Sequence, residues 1–261
     1  MKHAACVSRG RGVGAVLAAA ALMATAACSG GSAVSVVAAP TATGPTPTGS
    51  PLTERQADTA LIGASDLGSP WEQTDQDAAH DGLLEGEVDG GSKDCQKFLD
   101  RLEDGDLLGD KTSEDASRVF YNSANEAYLD YEVAAYKDQA DVQKEMDWLK
   151  KLPQTCDQFT AKVGPDKTDA TVQVIEFGLP DAGGDHIGLN TKLTTKVEGE
   201  DATLTLDSAA VLMGPNGITL TNGGLQGAER DATEQAAQLG SQRLQQVMEG
   251  KTPAETPGEQ D

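Results

Sequence analysis

Three histidines, four cysteines, four tyrosines and a surplus of carboxylates are the residues of this chain that could do chemistry. Asp185-His186, behind Gly183-Gly184, has the composition of a general base beside its orienting carboxylate. Neighbouring residues on an extended segment point to opposite sides, so the stretch reads as a turn entering a strand. No G-x-S-x-G elbow, H-E-x-x-H helix or phosphate-binding Gly-rich loop occurs, and no catalytic residue is assigned. Asp104-Gly105-Asp106 and the acidic run from Asp75 to Asp81 invite a calcium reading. Counted from Asp104, however, Leu108 falls where a fifth-position oxygen ligand belongs, and Asp115 stands where a bidentate Glu is needed. A solvated acidic face is the plainer reading, and neither a metal nor a cofactor is expected. All four tyrosines fall between Tyr121 and Tyr136. Strand alternation sets Tyr128 and Tyr136 on the face opposite Tyr131, and these two are the candidate ligand-binding residues. Half-buried core tyrosines would give the same pattern, since strands favour Tyr in any case.

The N-terminus carries an address. Lys2, Arg9 and Arg11 precede an apolar run from Gly14 to Ala27, and no acidic residue occurs before Glu54. This is the layout of an export signal, and the run is shorter than the roughly 20 apolar residues of a spanning helix. Its end, Leu22-Met23-Ala24-Thr25-Ala26-Ala27-Cys28-Ser29-Gly30-Gly31, resembles a bacterial lipobox, although Thr25 is less usual than Leu at its position. The resemblance implies that residues 1–27 are a lipoprotein signal peptide and that Cys28 receives diacylglycerol and becomes the new N-terminus. Two acyl chains on one residue suffice for stable anchoring, so the expected partner is the membrane. Cys6 leaves with the signal and Cys28 carries lipid, which leaves Cys95 and Cys156 to pair in an oxidising compartment. The bridge would close a loop of about 60 residues, worth about 4 kcal/mol in the chain-entropy picture.

Residues 28–51 thus hold the lipidated Cys and an uncharged tether of Gly, Ser, Thr, Pro, Ala and Val. As a flexible coil it reaches about 25 Å. Residues 250–261 are Pro-containing, acidic and expected to be disordered. The domain lies between, at 52–249. Thr53 and Gln56 form a capping box for a helix that ends before Gly68. The stretch from Trp71 to Gly91 reads as a loop with one short strand, and Lys93 to Leu102 as a helix burying Cys95, Phe98, Leu99 and Leu102. Strands follow at Ala116–Tyr121 and Ala127–Tyr136, then a helix from Asp138 stopped by Pro153. The rest reads as a meander, 158–163, 170–177, 186–197, 202–213 and 218–222, each strand with one wet face. Gly214-Pro215-Asn216-Gly217 is a hairpin turn with Pro at one centre and Asn at the next, and Arg230–Met248 is a final helix. The expected fold is α+β, a single domain with a twisted antiparallel sheet and helices packed on one face.

This order of elements, with "YNSANEA", "KLPQTCDQF" and "GLPDAGGDH", resembles the PknH-like extracellular sensor domain family over about residues 52–249. The resemblance implies a twisted antiparallel sheet with helices around a cleft. Kinase-borne members of that family have two disulfides where this chain can form one, so no ligand and no catalytic residue carries across. The net charge of −22, from 42 acidic and 20 basic residues, excludes sequence-independent binding to nucleic acid. The expected function is that of a non-catalytic binding or sensor lipoprotein on the extracytoplasmic face of the cell membrane, its envelope ligand or protein partner unidentified. A solute-binding component of a transporter and an envelope hydrolase are the alternatives.

Overall fold

Thr53 opens the first helix as its spacing predicts. Its hydroxyl accepts the Gln56 N–H, and the Gln56 side chain accepts the Thr53 N–H at 3.0 Å. The computed structural model describes residues 49–75, 82–179, 182–197 and 199–254. The signal peptide, Cys28, the tether up to 48, His80 and the tail beyond 254 lie outside the described residues. Helix α1 spans Glu54–Ala60, and the chain then turns extended at Leu61 before α2, Ala64–Leu67. The single helix expected here is therefore two. The break lets both Leu61 and Ile62 be buried and frees the Ile62 carbonyl to accept Arg118 Nη1 at 2.8 Å.

Nine strands form one antiparallel sheet in the order β1-β3-β4-β9-β8-β7-β6-β5-β2. The long ones are β3 Lys111–Asn122, β4 Ala127–Tyr136, β6 Thr168–Phe177, β7 Asp185–Val197, β8 Glu200–Met213 and β9 Asn216–Gly224, with β5 at Gln158–Val163. The edges are closed by β1, Trp71–Thr74, and β2, Gly86–Val88. The stretch between Trp71 and Gly91 thus supplies two strands, at opposite edges of the sheet, and not one. Four and three residues carry too little alternation to announce themselves; pairing with β3 and β5 makes them strands.

The helices cover both faces, which corrects the expectation of one. On one face α1, α2 and α6, Arg230–Met248, pack on Leu129, Tyr131, Val133, Val211 and Ile218. On the other, α3 Lys93–Asp104, α4 Gln139–Leu149 and α5 Leu152–Thr155 pack on Val172, Val174, Leu189, Leu206 and Leu212. Consequently β9 is buried along its whole length, as is the second half of β8, where a wet face was expected. Cys95 of α3 and Cys156 after α5 form the disulfide, with Cα atoms 5.5 Å apart. Pro153 does not end α4. It sits in the first turn of α5, where its missing N–H costs nothing.

The β8–β9 turn also differs from its sequence reading. Gly214, with φ +64, and Pro215 are its central pair, and Asn216 is already in β9 opposite Met213. Positive φ at the first centre followed by Pro suits a type II′ hairpin. Released from the turn, the Asn216 side chain clasps the start of the domain, accepting the Leu52 N–H at 2.8 Å and donating to the Ser50 carbonyl at 3.1 Å. At the other end of β9, a polar lock seats α6. Asp207, 1% exposed, takes Arg230 Nε and Nη2 at 2.7 and 2.9 Å and Asn190 Nδ2 at 2.6 Å. The Arg230 guanidinium stacks 3.5 Å from the centre of the Phe177 ring. The first residues of the tail pack back as well, with Arg243 Nη1 donating to the Ala254 carbonyl at 3.2 Å.

Candidate functional site

Strand pairing puts Ser117 opposite Glu132, Val119 opposite Asp130, and Thr219 and Thr221 beside that carboxylate pair. Alternation points all of them to the face that carries α3, α4 and α5. The helices of that face stop short of this patch, and the last turn of α3, from Leu102 to Gly105, forms a wall beside it. The result is an open cleft of about 290 Å³ with a polar floor. Gly105, at φ +71, ends α3 in a left-handed cap, which leaves Asp104 exposed on the rim.

The polar groups of the cleft are differently engaged. Glu103 turns away, accepting the N–H groups of Gly82 and Leu84 at 2.5 and 3.1 Å. Glu132 accepts Lys111 Nζ at 2.5 Å, and the same ammonium lies 3.4 Å from Asp115. Burial nevertheless outweighs that ammonium and raises the Glu132 carboxyl above its ordinary pKa. Arg118 borders the cleft, but its guanidinium is directed to the Ile62 carbonyl on the other side of the sheet. The hydroxyls of Ser208 and Thr221 lie 3.2 Å apart. Thr219 is 4% exposed, and its hydroxyl makes no hydrogen bond among the described residues.

The two candidate tyrosines part company. Tyr128 is half-buried and pairs with Tyr121 one step beyond Val119–Asp130, the ring centroids 5.0 Å apart and tilted by 50°. It stands at the open end of the cleft face. Tyr136 is on the same face but 3% exposed, packed in the core with Leu108 and Ala134. Its assignment to a ligand surface is therefore corrected: α3, α4 and the loop after α3 cover that end of the strand. Tyr131 is on the opposite face, as expected, beneath α6.

The other chemistry-bearing residues are spent structurally. Asp185 is held by Lys150 Nζ and by Gln143 Nε2 at 2.8 Å. Partial burial alone would raise its pKa, but those hydrogen bonds and the Lys150 charge outweigh it and hold the carboxyl below its ordinary value. His186 faces away, its Nδ1 3.3 Å from the Gly184 carbonyl, so the two do not form a base and orienter. Asp106 accepts Arg101 Nη1 at 2.6 Å, and Asp104 and Asp106 flank a helix cap. Among the described residues no group of three or more His, Cys, Asp or Glu is placed to hold a metal ion. Sequence reading missed Thr219, Asp130 and Glu132. A Thr at every second place in β9 and two acids at every second place in β4 were legible, but not that they share an uncovered patch.

No family model matches the chain, and no curated protein matches it. Among solved structures it is similar to the extracellular domain of PknH from Mycobacterium tuberculosis, with 14% identity over 77% of this chain and 98% of that one and a TM-score of 0.48. A likeness at this level does not place the chain in that protein's family, and the α+β assignment stands on the strand order and the helix layers themselves.

Proposed function

We propose that this protein is a non-catalytic binding or sensor module, held on the extracytoplasmic face of the membrane by lipid on Cys28, and that its ligand occupies the cleft over β3, β4 and β9. The observation that carries this reading is the uncovered polar patch. On the face that carries α3, α4 and α5, Ser117, Asp130 and Glu132 stay accessible beside Tyr128, above the buried Thr219 and Thr221. The position of the cleft supports it too. Asn216, which clasps Ser50 and Leu52, pairs with Ala135 at one end of β4, whereas Tyr128 is at the other, so the open end lies at the opposite end of β4 from Ser50 and Leu52. The residues lining the cleft include no His or Cys, which favours binding over catalysis. The described residues form one compact unit, which favours this reading over a two-lobed solute-binding component.

Two measurements test it. Intact mass of the mature protein should show a lipid-modified Cys28, and Cys28→Ser should move the chain out of the membrane fraction; an unmodified N-terminal Cys would sink the anchor. For the cleft, a panel of amines, neutral sugars and carboxylates is screened by thermal shift against the full chain in detergent and against Ser117→Trp, which places an indole over the exposed floor. At least one compound should raise Tm in the wild type and not in the variant.

A further inference from the structure

We propose that a second cavity, between α1, α2 and α6 on the opposite side of the sheet from the cleft, binds a small organic carboxylate through Arg118 and Arg243. This goes beyond the reading of the cleft and does not depend on it.

The cavity has a volume of about 460 Å³. Asp58 of α1, Ser65 and Asp66 of α2 and Arg243 of α6 contribute to its walls, and Arg118 reaches it from β3. Thr252 and Pro253, beyond the end of α6, line it as well, and Pro253 is buried there. Two of the five arginines that follow residue 52 thus meet in one place.

Their hydrogen bonding carries the inference. A guanidinium presents five N–H donors and no acceptor. Elsewhere in the domain such groups meet a carboxylate at bonding distance, Arg101 to Asp106 at 2.6 Å and Arg230 to Asp207 at 2.7 and 2.9 Å. In the cavity they do not. Among the described residues Arg118 donates one hydrogen bond, to the Ile62 carbonyl at 2.8 Å, and its nearest acid, Asp58, is 3.9 Å away and largely exposed. Arg243, with a side chain only 15% exposed, donates one, to the Ala254 carbonyl at 3.2 Å, and its Nε is buried without a partner. Asp66 Oδ2 lies 3.3 Å from Arg243 but accepts the Gly63 N–H at 2.7 Å. The cavity therefore holds more charged donors than acceptors, an arrangement that costs stability unless an acceptor is supplied. A carboxylate supplies two oxygens in one plane, which the guanidinium fork matches. Solvent screens the exposed Asp58, while Asp66 offsets part of the arginine charge, so the balance suits one negative charge better than the two of a phosphate dianion.

The test uses the full chain in detergent at about 0.15 M sodium chloride, where diffuse electrostatic effects are screened, in a buffer free of carboxylate and phosphate. Propionate is the probe, propionamide its neutral isostere and inorganic phosphate the rival oxyanion, each titrated by calorimetry and thermal shift. Propionate should bind saturably and raise Tm, propionamide should not bind, and phosphate should bind more weakly. Arg118→Gln and Arg243→Gln should each weaken propionate at least tenfold, and Arg118→Lys, which keeps the charge but loses the fork, several-fold. Arg55→Gln, the same loss of charge at an exposed position of α1, should leave binding unchanged. Ser65→Trp fills the cavity from its exposed rim with both arginines in place and should abolish binding, which keeps the test valid if Arg243→Gln does not melt cooperatively. Absence of propionate binding, equal binding of propionamide, tighter binding of phosphate, or equal weakening in Arg55→Gln overturns the proposal. If propionate binds only after Glu255→Gln, Glu259→Gln and Asp261→Asn are combined, the cavity's carboxylate is the chain's own and the free ligand is overturned.

Discussion

A methyl group on Gly240 would sit 2.0 Å from the Tyr131 hydroxyl, so this glycine in α6 is a matter of space and not of backbone freedom. Glycine inside a helix costs up to about 1 kcal/mol relative to alanine, which on an open helix would make Gly240→Ala stabilising. Here the overlap should win, at about 1–3 kcal/mol, and Gly240→Ala should lower Tm. The Tyr131 hydroxyl is itself buried without a hydrogen bond among the described residues, and burial raises its pKa strongly. Tyr131→Phe should therefore raise stability by about 1 kcal/mol. It should also recover part of the loss when combined with Gly240→Ala, because the atom in closest overlap is gone. Thermal melts of the two single variants and the double variant check this, and independent additive effects would refute the contact.

At the scale of elements, α6 is the piece that must be seated for one whole face of the sheet to be covered, and polar contacts fix its start. Asp207 is buried in β8 with Arg230 as its bidentate partner, while Glu229 Oε1 accepts Asn122 and Asn125 at 2.9 and 3.0 Å. Asn222 Nδ2 donates to the Glu229 carbonyl at 2.7 Å and to Thr233 Oγ1 at 3.0 Å. These bonds set the rotation of the helix, which a smooth row of Ala232, Ala236 and Ala237 would specify weakly. Arg230→Ala strands a buried carboxylate and should cost about 3 kcal/mol, the lower end for breaking such a pair because the guanidinium is partly exposed. Adding Asp207→Asn should regain much of that loss, as measured by urea unfolding. Failure of the second change to rescue would mean that the guanidinium acts through its stacking on Phe177.

Among the described residues, helices lie on both faces of one sheet, and the Cys95–Cys156 bridge ties the layer of α3 to the chain that enters β5. Its residues are 61 apart in sequence, so it restricts a large part of the unfolded ensemble. Reduction, or Cys95→Ser with Cys156→Ser, should lower global stability by about 4 kcal/mol, read as a lower urea midpoint. A midpoint unchanged by reductant would mean that packing around Phe98, Leu99 and Leu149 already holds this layer.

What the chain's sequence determined is what local rules govern. Thr53 with Gln56, Asp138 as an N-cap and the bounds of β4, β5 and α6 follow from side chains reaching backbone groups a few residues away and from alternation along one strand. The bridge between Cys95 and Cys156 was likewise reachable by counting thiols. Alternation also placed Tyr128 and Tyr136 on one face and Tyr131 on the other. It could not say what covers a face, because that depends on helices distant in the chain. Only the tertiary structure decided that Tyr136 is sealed beneath one layer while Tyr128 stays at an opening, and that Thr219, Asp130 and Glu132 share one floor. It also decided that Asn216 leaves its turn to hold Ser50 and Leu52. A strand pattern carries the direction of each side chain, but the depth of burial above it is set by where α3 ends, and nothing in β4 encodes that.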